Sequence, residues 1–136
     1  MIIKTKKEPE KMLPLTPAVF HILLALADGD KHGYGIMREV SDRTDGQMRM
    51  GPGTLYGSIK RMLEQGLIEE AEERPDPELD DERRRYYRLT DFGQRVAVAE
   101  SRRLRHLVGI AQGKRLLGSG KLSSGIMPAQ TLPEVL

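Results

Sequence analysis

Between Gly51 and Gly66 the chain reads GPGTLYGSIKRMLEQG. The side chains there that can do chemistry are hydroxyls followed by cations. Thr54, Tyr56 and Ser58 come first, and Lys60 and Arg61 follow within about a turn, with Gly53 and Gly57 among them. Hydroxyls exchange hydrogen bonds with phosphate oxygens and base edges, and Lys and Arg neutralise phosphate charge. The set suits contact with a polyanion; it holds no nucleophile paired with a base. The rest of the chain adds no catalytic grouping. His21, His32 and His106 lie on separate segments without HxxxH or HxH spacing, so no metal site is expected. There is no cysteine, which removes disulfides, thiolate zinc sites and cysteine nucleophiles together. No Gly-x-Ser-x-Gly is present, and GPGTLYG lacks the lysine-serine ending of a phosphate loop. An enzyme is the weakest reading, and no cofactor is expected.

The elements that must position these groups can be read from periodicity. The chain has 136 residues, which suits one domain. Residues 1–13 are charged and aperiodic, and are expected to be a mobile arm. The glycine-, serine- and proline-rich tail 118–136 is expected to be flexible. Thr16 is a candidate N-cap with Pro17 at the first helical position. Val19, Ile22, Leu23 and Leu26 then recur at helical spacing. A second helix follows in HGYGIMREVSDRT, with Tyr34, Ile36, Met37 and Val40 as its apolar face and Asp45-Gly46 as its end. The third runs from Pro52 to about Gln65. Leu55, Ile59, Met62 and Leu63 make its buried stripe, and Gly66 sits where a left-handed residue ends a helix. On the opposite side lie Gly53, Thr54, Gly57, Lys60, Arg61 and Glu64, with Tyr56 at the border.

LIEEAEER and RRRYYRLT then read as two strands joined by PDPELDDE. Thr90 caps a last helix over 91–117. Its apolar positions, Phe92, Val96, Ala99, Leu104, Leu107, Ile110 and Ala111 among them, span nearly half the circumference. Contact with both its own domain and a second subunit would account for that width, so these seven are the expected homodimer interface. The fold class is therefore mainly α with a small β-hairpin: a winged helix-turn-helix over 14–90 plus one C-terminal dimerisation helix. In such domains the third helix enters the DNA major groove. Small residues at Gly53 and Gly57 let the backbone come close, Thr54, Tyr56, Gly57 and Ser58 face the groove, and Lys60 and Arg61 suit phosphates. His32, just before the second helix, and Arg84 and Arg88 in the second strand are further candidate DNA contacts.

HGYGI, GTLYGSIKRMLEQGLIEE and RRRYYRLTDFGQRV resemble the PadR family of bacterial transcriptional regulators, from about Leu15 to about Gln112. The resemblance implies a homodimeric repressor on an inverted-repeat DNA operator. Members generally dimerise through the C-terminal helix, and some release DNA on binding a small-molecule inducer.

Two features depart from that pattern. The wing is acidic where relatives are often basic or glycine-rich: Glu69, Glu70, Glu72, Glu73, Asp76, Glu78, Asp80, Asp81 and Glu82 precede the arginines. Carboxylates are repelled by phosphates, so cross-strand pairing with the arginines is expected instead. The acidity also supports an alternative, a winged-helix module that binds protein. Some relatives stack flat ligands on tryptophan, and the chain has none, which counts against that mode; a ligand-gated sensor, like the drug-responsive relatives, is the other alternative, with no ligand residue to name. No apolar run approaches the roughly 18–20 residues that span a bilayer, and MIIKTKKEPEKM is too short in apolar residues for a secretory signal. A cytoplasmic protein without a membrane partner is expected.

Overall fold

The structure, a computed structural model, describes residues 7–71 and 85–118. It comprises two compact units, one ending at Arg103 and one beginning at Leu104. A 3₁₀ turn at Pro9–Met12 precedes α1 (Pro17–Leu26), β1 (Lys31–His32), α2 (Gly33–Arg43), α3 (Pro52–Glu64), β2 (Ile68–Glu70), β3 (Tyr86–Leu89) and α4 (Asp91–Gly113). The three strands form one antiparallel sheet in the order β1-β3-β2. Glu69 lies opposite Arg88, and His32 opposite Tyr86. The expected fold class, a helical domain carrying a small β-wing, is what the chain forms.

Each helix starts and stops for a local reason. The Thr16 hydroxyl accepts from the Val19 N–H at 3.3 Å, and Pro17 opens α1 without leaving an N–H unpaired. His32 caps α2, its Nδ1 accepting from the Gly35 N–H at 3.1 Å. Asp45 and Gly46, at φ 54° and 79°, turn the chain out of α2. Gly66 takes φ +78°, and the Leu67 N–H returns to the Met62 carbonyl at 2.9 Å, so α3 stops by a left-handed C-terminal turn.

The core is one cluster. Ile22, Leu23, Ala25 and Leu26 from α1 meet Ile36 and Val40 of α2, and Leu55, Ile59 and Met62 of α3. Met50, Leu67, Ile68, Tyr87 and Val96 close it. At the root of α4 the packing becomes backbone against backbone. Thr90 receives its hydrogen-bond partners from both sides. Its hydroxyl donates to the Gly66 carbonyl at 2.6 Å and accepts from the Gly93 N–H at 2.9 Å. A Cβ at Gly93 would collide with the Leu67 carbonyl, so only glycine lets the first turn of α4 lie this close.

Several expectations are corrected. Of the expected arm 1–13, residues 1–6 lie outside the described residues, residues 9–12 form the 3₁₀ turn, and Met12 and Leu13 pack on the core. Two adjacent apolar residues carry no period, so the anchor was invisible to pattern reading. Strand β1 was not expected, since two residues, Lys31 and His32, cannot show alternation. Tyr34 is 56% exposed and stands off the core that Ile36 and Val40 join. Expected wing residues 72–84, Arg84 among them, and the tail from 119 lie outside the described residues.

Candidate nucleic-acid interface

The exposed side of α3 is built as its angular spacing dictates. Gly53, Thr54, Lys60, Arg61 and Glu64 are exposed, Gly57 is half-buried, and Leu55, Ile59 and Met62 are turned inward. Nothing lies within 4 Å of where a Cβ would stand on Gly51 or Gly53, and at Gly57 such an atom would meet only the Arg61 guanidinium, at 3.9 Å. The interior therefore does not require glycine at these positions, although at Gly53 and Gly57, inside the helix, glycine costs up to about 1 kcal/mol against alanine. No side chain caps the helix at Gly51, so the N–H donors of its first turn are open to an anion.

Ser58 does not belong to this surface. It is 1% exposed and sits in the core with Leu55 and Met62, so its hydroxyl is not presented to a ligand. Its position three residues after Leu55 and four before Met62 carries that signal; the polar identity of the side chain concealed it.

Tyr56 does two things. Its ring is 47% exposed, yet its hydroxyl lies where a side chain on Gly33 would begin. The contact seats the first turns of α3 against the start of α2. His32 also makes contacts within the domain: besides capping α2, its imidazole stacks on Tyr34 at 6.3 Å between centroids and meets the Tyr86 ring edge-on at 5.2 Å. The Arg38 guanidinium lies 6.0 Å from the Tyr34 ring centroid. Tyr34 and Arg38 are both exposed on α2. Sequence reading missed both, because Tyr34 fits an apolar face unless the Ile36–Val40 pair is used to fix its direction.

On the wing, Arg88 Nε donates to Glu69 at 2.9 Å and Arg85 Nη1 to Glu70 at 3.2 Å. These are the expected cross-strand pairs. Both are exposed and contribute at most about 1 kcal/mol, mainly by fixing register. Arg88 engages Glu69 through Nε, and a guanidinium carries further N–H donors besides. Among the described residues, no group of three or more His, Cys, Asp or Glu is placed to hold a metal.

The expected dimer residues divide. Val96 is fully buried within its own domain and is corrected to a core residue. Phe92 is half-buried, packed on the core, with Lys7 Nζ 5.3 Å and the Arg95 guanidinium 5.8 Å from its centroid. Ala99 and Ala111 are half-buried, whereas Leu104, Leu107 and Ile110 are exposed apolar residues.

Known proteins share the fold. The family model described as Transcriptional regulator PadR-like family matches residues 22–99. Transcriptional regulator Rv3488 of Mycobacterium tuberculosis (strain ATCC 25618 / H37Rv) is 39% identical over 83 residues, covering 61% of this chain and 70% of that protein. An uncharacterized 37.1 kDa protein in transposon TN4556 of Streptomyces fradiae is 34% identical over 88 residues, 65% of this chain; the chain spans only 23% of that protein's length. Among solved structures, a PadR family transcription regulator from Clostridium difficile R20291 superposes with a TM-score of 0.58 at 24% identity, over 72% of this chain and 97% of that one. Bacillus subtilis PadR in complex with operator DNA gives 0.50 at 20% identity, over 60% and 44%. At such identities the structural likeness speaks for the fold.

Proposed function

The chain belongs to the PadR-like family of transcriptional regulators, and on that premise we propose that it is a dimeric, sequence-specific DNA-binding repressor acting in the cytoplasm. The observation that carries the reading is the outer face of α3. Its N-terminal half is kept small by glycines that no internal contact requires, and Lys60 and Arg61 follow within a turn. A major groove about 12 Å wide admits a helix whose approaching face is of this kind. Thr54 and Tyr56 would supply hydroxyls beside Gly57, and Lys60 and Arg61 would bind phosphates. The operator complex of Bacillus subtilis PadR supports the same use of the fold.

Two copies would place two α3 helices in successive major grooves about 34 Å apart on an inverted repeat. Leu104, Leu107 and Ile110, apolar and exposed, are the residues we assign to pairing. Repression would follow from occupation of the promoter. Within the domains expected from the sequence, the winged helix over 14–90 binds DNA and the helix beyond it assembles the dimer.

Affinity for DNA upstream of the protein's own gene, measured across a salt series, tests the reading. Lys60→Ala and Arg61→Ala should each weaken binding to all sequences and flatten the logarithmic salt dependence by about one unit. Unchanged affinity and slope in both variants would remove α3 from the interface.

A further inference from the structure

The segment before α1 lies outside the family match, yet it is fastened to the domain at two points. At its start, Lys7 Nζ donates to the Gln65 carbonyl at the end of α3, at 3.2 Å, and lies over the Phe92 ring in the first turn of α4. At its end, the Leu15 N–H donates to Glu100 Oε2 at 3.0 Å. Between these points Met12 and Leu13 rest on the core.

Glu100 is 2% exposed. A carboxylate so buried is costly unless its oxygens are paired, and here both are. Arg103 grips it as a fork, Nε on Oε1 at 2.5 Å and Nη2 on Oε2 at 3.0 Å. The Arg103 hydrogen bonds, and after them the Leu15 N–H, hold the Glu100 carboxyl below the usual carboxylate range against the opposing effect of burial. Packing alone does not call for a charge four residues after Val96 on the inward side of α4; an apolar side chain would fill that place. What the charge adds is a strong acceptor for the Leu15 N–H, a donor that precedes the α1 N-cap and has no helical partner.

We propose that residues 7–16 form a strap that Glu100 fastens across the root of α4, and that strap and root open and close as one unit. Glu100 is then a positioning residue. In its bearing on regulation this rests on the function proposed above: the unit would join the helix that assembles the dimer to the end of the helix that reads DNA.

Native-state hydrogen exchange on the full chain tests it. In the wild type, the Leu15 amide and the α4 amides up to Arg103 should share one opening equilibrium, distinct from that of the Ile22–Leu26 core. Glu100→Gln should speed exchange in the strap and the root together by about tenfold or more, with the core amides unchanged, as expected for one cooperative local unit. Lys7→Ala, which leaves the buried pair intact, should speed Leu15 exchange by roughly threefold through the same opening. Uniform acceleration throughout the domain in Glu100→Gln, or an unchanged Leu15 rate, would overturn the strap. So would a Lys7→Ala effect confined to residues 7–9, a result that decides the matter even if Glu100→Gln fails to fold. A wild-type protein that binds no operator DNA sinks the repressor reading instead, and the exchange rates still decide the strap.

Discussion

Two regions of this molecule use glycine for opposite reasons. At the root of α4, Gly93 is required from inside: the Leu67 carbonyl occupies the space a Cβ would need. Gly33 is similar, its side-chain space filled by the Tyr56 hydroxyl. In the N-terminal half of α3, Gly53 faces open space and Gly57 meets only a flexible arginine. The first pair is explained by the fold. The second group works against helix stability, and no contact within the described residues requires it; the proposed groove contact would supply the reason. A sequence alone shows glycines in both places; whether the constraint is internal or external becomes visible only when the surrounding atoms are placed.

The contrast can be broken by substitution. Gly93→Ala should have the largest effect, destabilising the domain by about 2–3 kcal/mol, because the obstacle is backbone and cannot swing away. Thermal or denaturant unfolding measures it, and a loss under about 0.5 kcal/mol would mean that the α4 root shifts freely. Gly33→Ala should cost less, about 1–2 kcal/mol, since the Tyr56 side chain can rotate aside. Its mark is that Tyr56 becomes more exposed, which tyrosine fluorescence or chemical nitration would register. Gly57→Ala should have the smallest effect and the opposite sign, stabilising the fold by about 0.5–1 kcal/mol. Destabilisation there would place the reason for Gly57 inside the domain after all.

Much of the fold was legible because it is written locally. Thr16-Pro17 opens α1, Gly66 closes α3, and the Leu55–Ile59–Met62 spacing turns the remaining face outward; each depends on neighbours within a turn or two. The acidic first strand and arginine-bearing second strand also announced their pairing. What escaped has a common cause. Ser58 and Glu100 lie on buried stripes by position but are polar by type, so type and angle point in opposite directions there. Glu100 is satisfied by Leu15, 85 residues away in sequence, and such a partner has no local signature. Val96 drew attention as an apolar residue on a broad helix, but whether it faces its own core or a second subunit depends on how α4 docks. Tyr34 was misplaced by one step around α2. Strand β1 exists only because Tyr86 and Tyr87 offer it a partner.

If DNA shapes the outer face of α3, bulk at Gly57 must cost affinity without costing stability. Operator affinity of Gly57→Leu, set beside its unfolding midpoint, tests this most directly. Leucine is a good helix former, and the one atom its Cβ would meet is the far end of the Arg61 side chain, so the midpoint should not fall. Its bulk should keep the helix out of the groove and lower affinity by about tenfold or more, roughly 1.4 kcal/mol. A variant that folds as well as the wild type and binds the operator equally tightly would contradict the account.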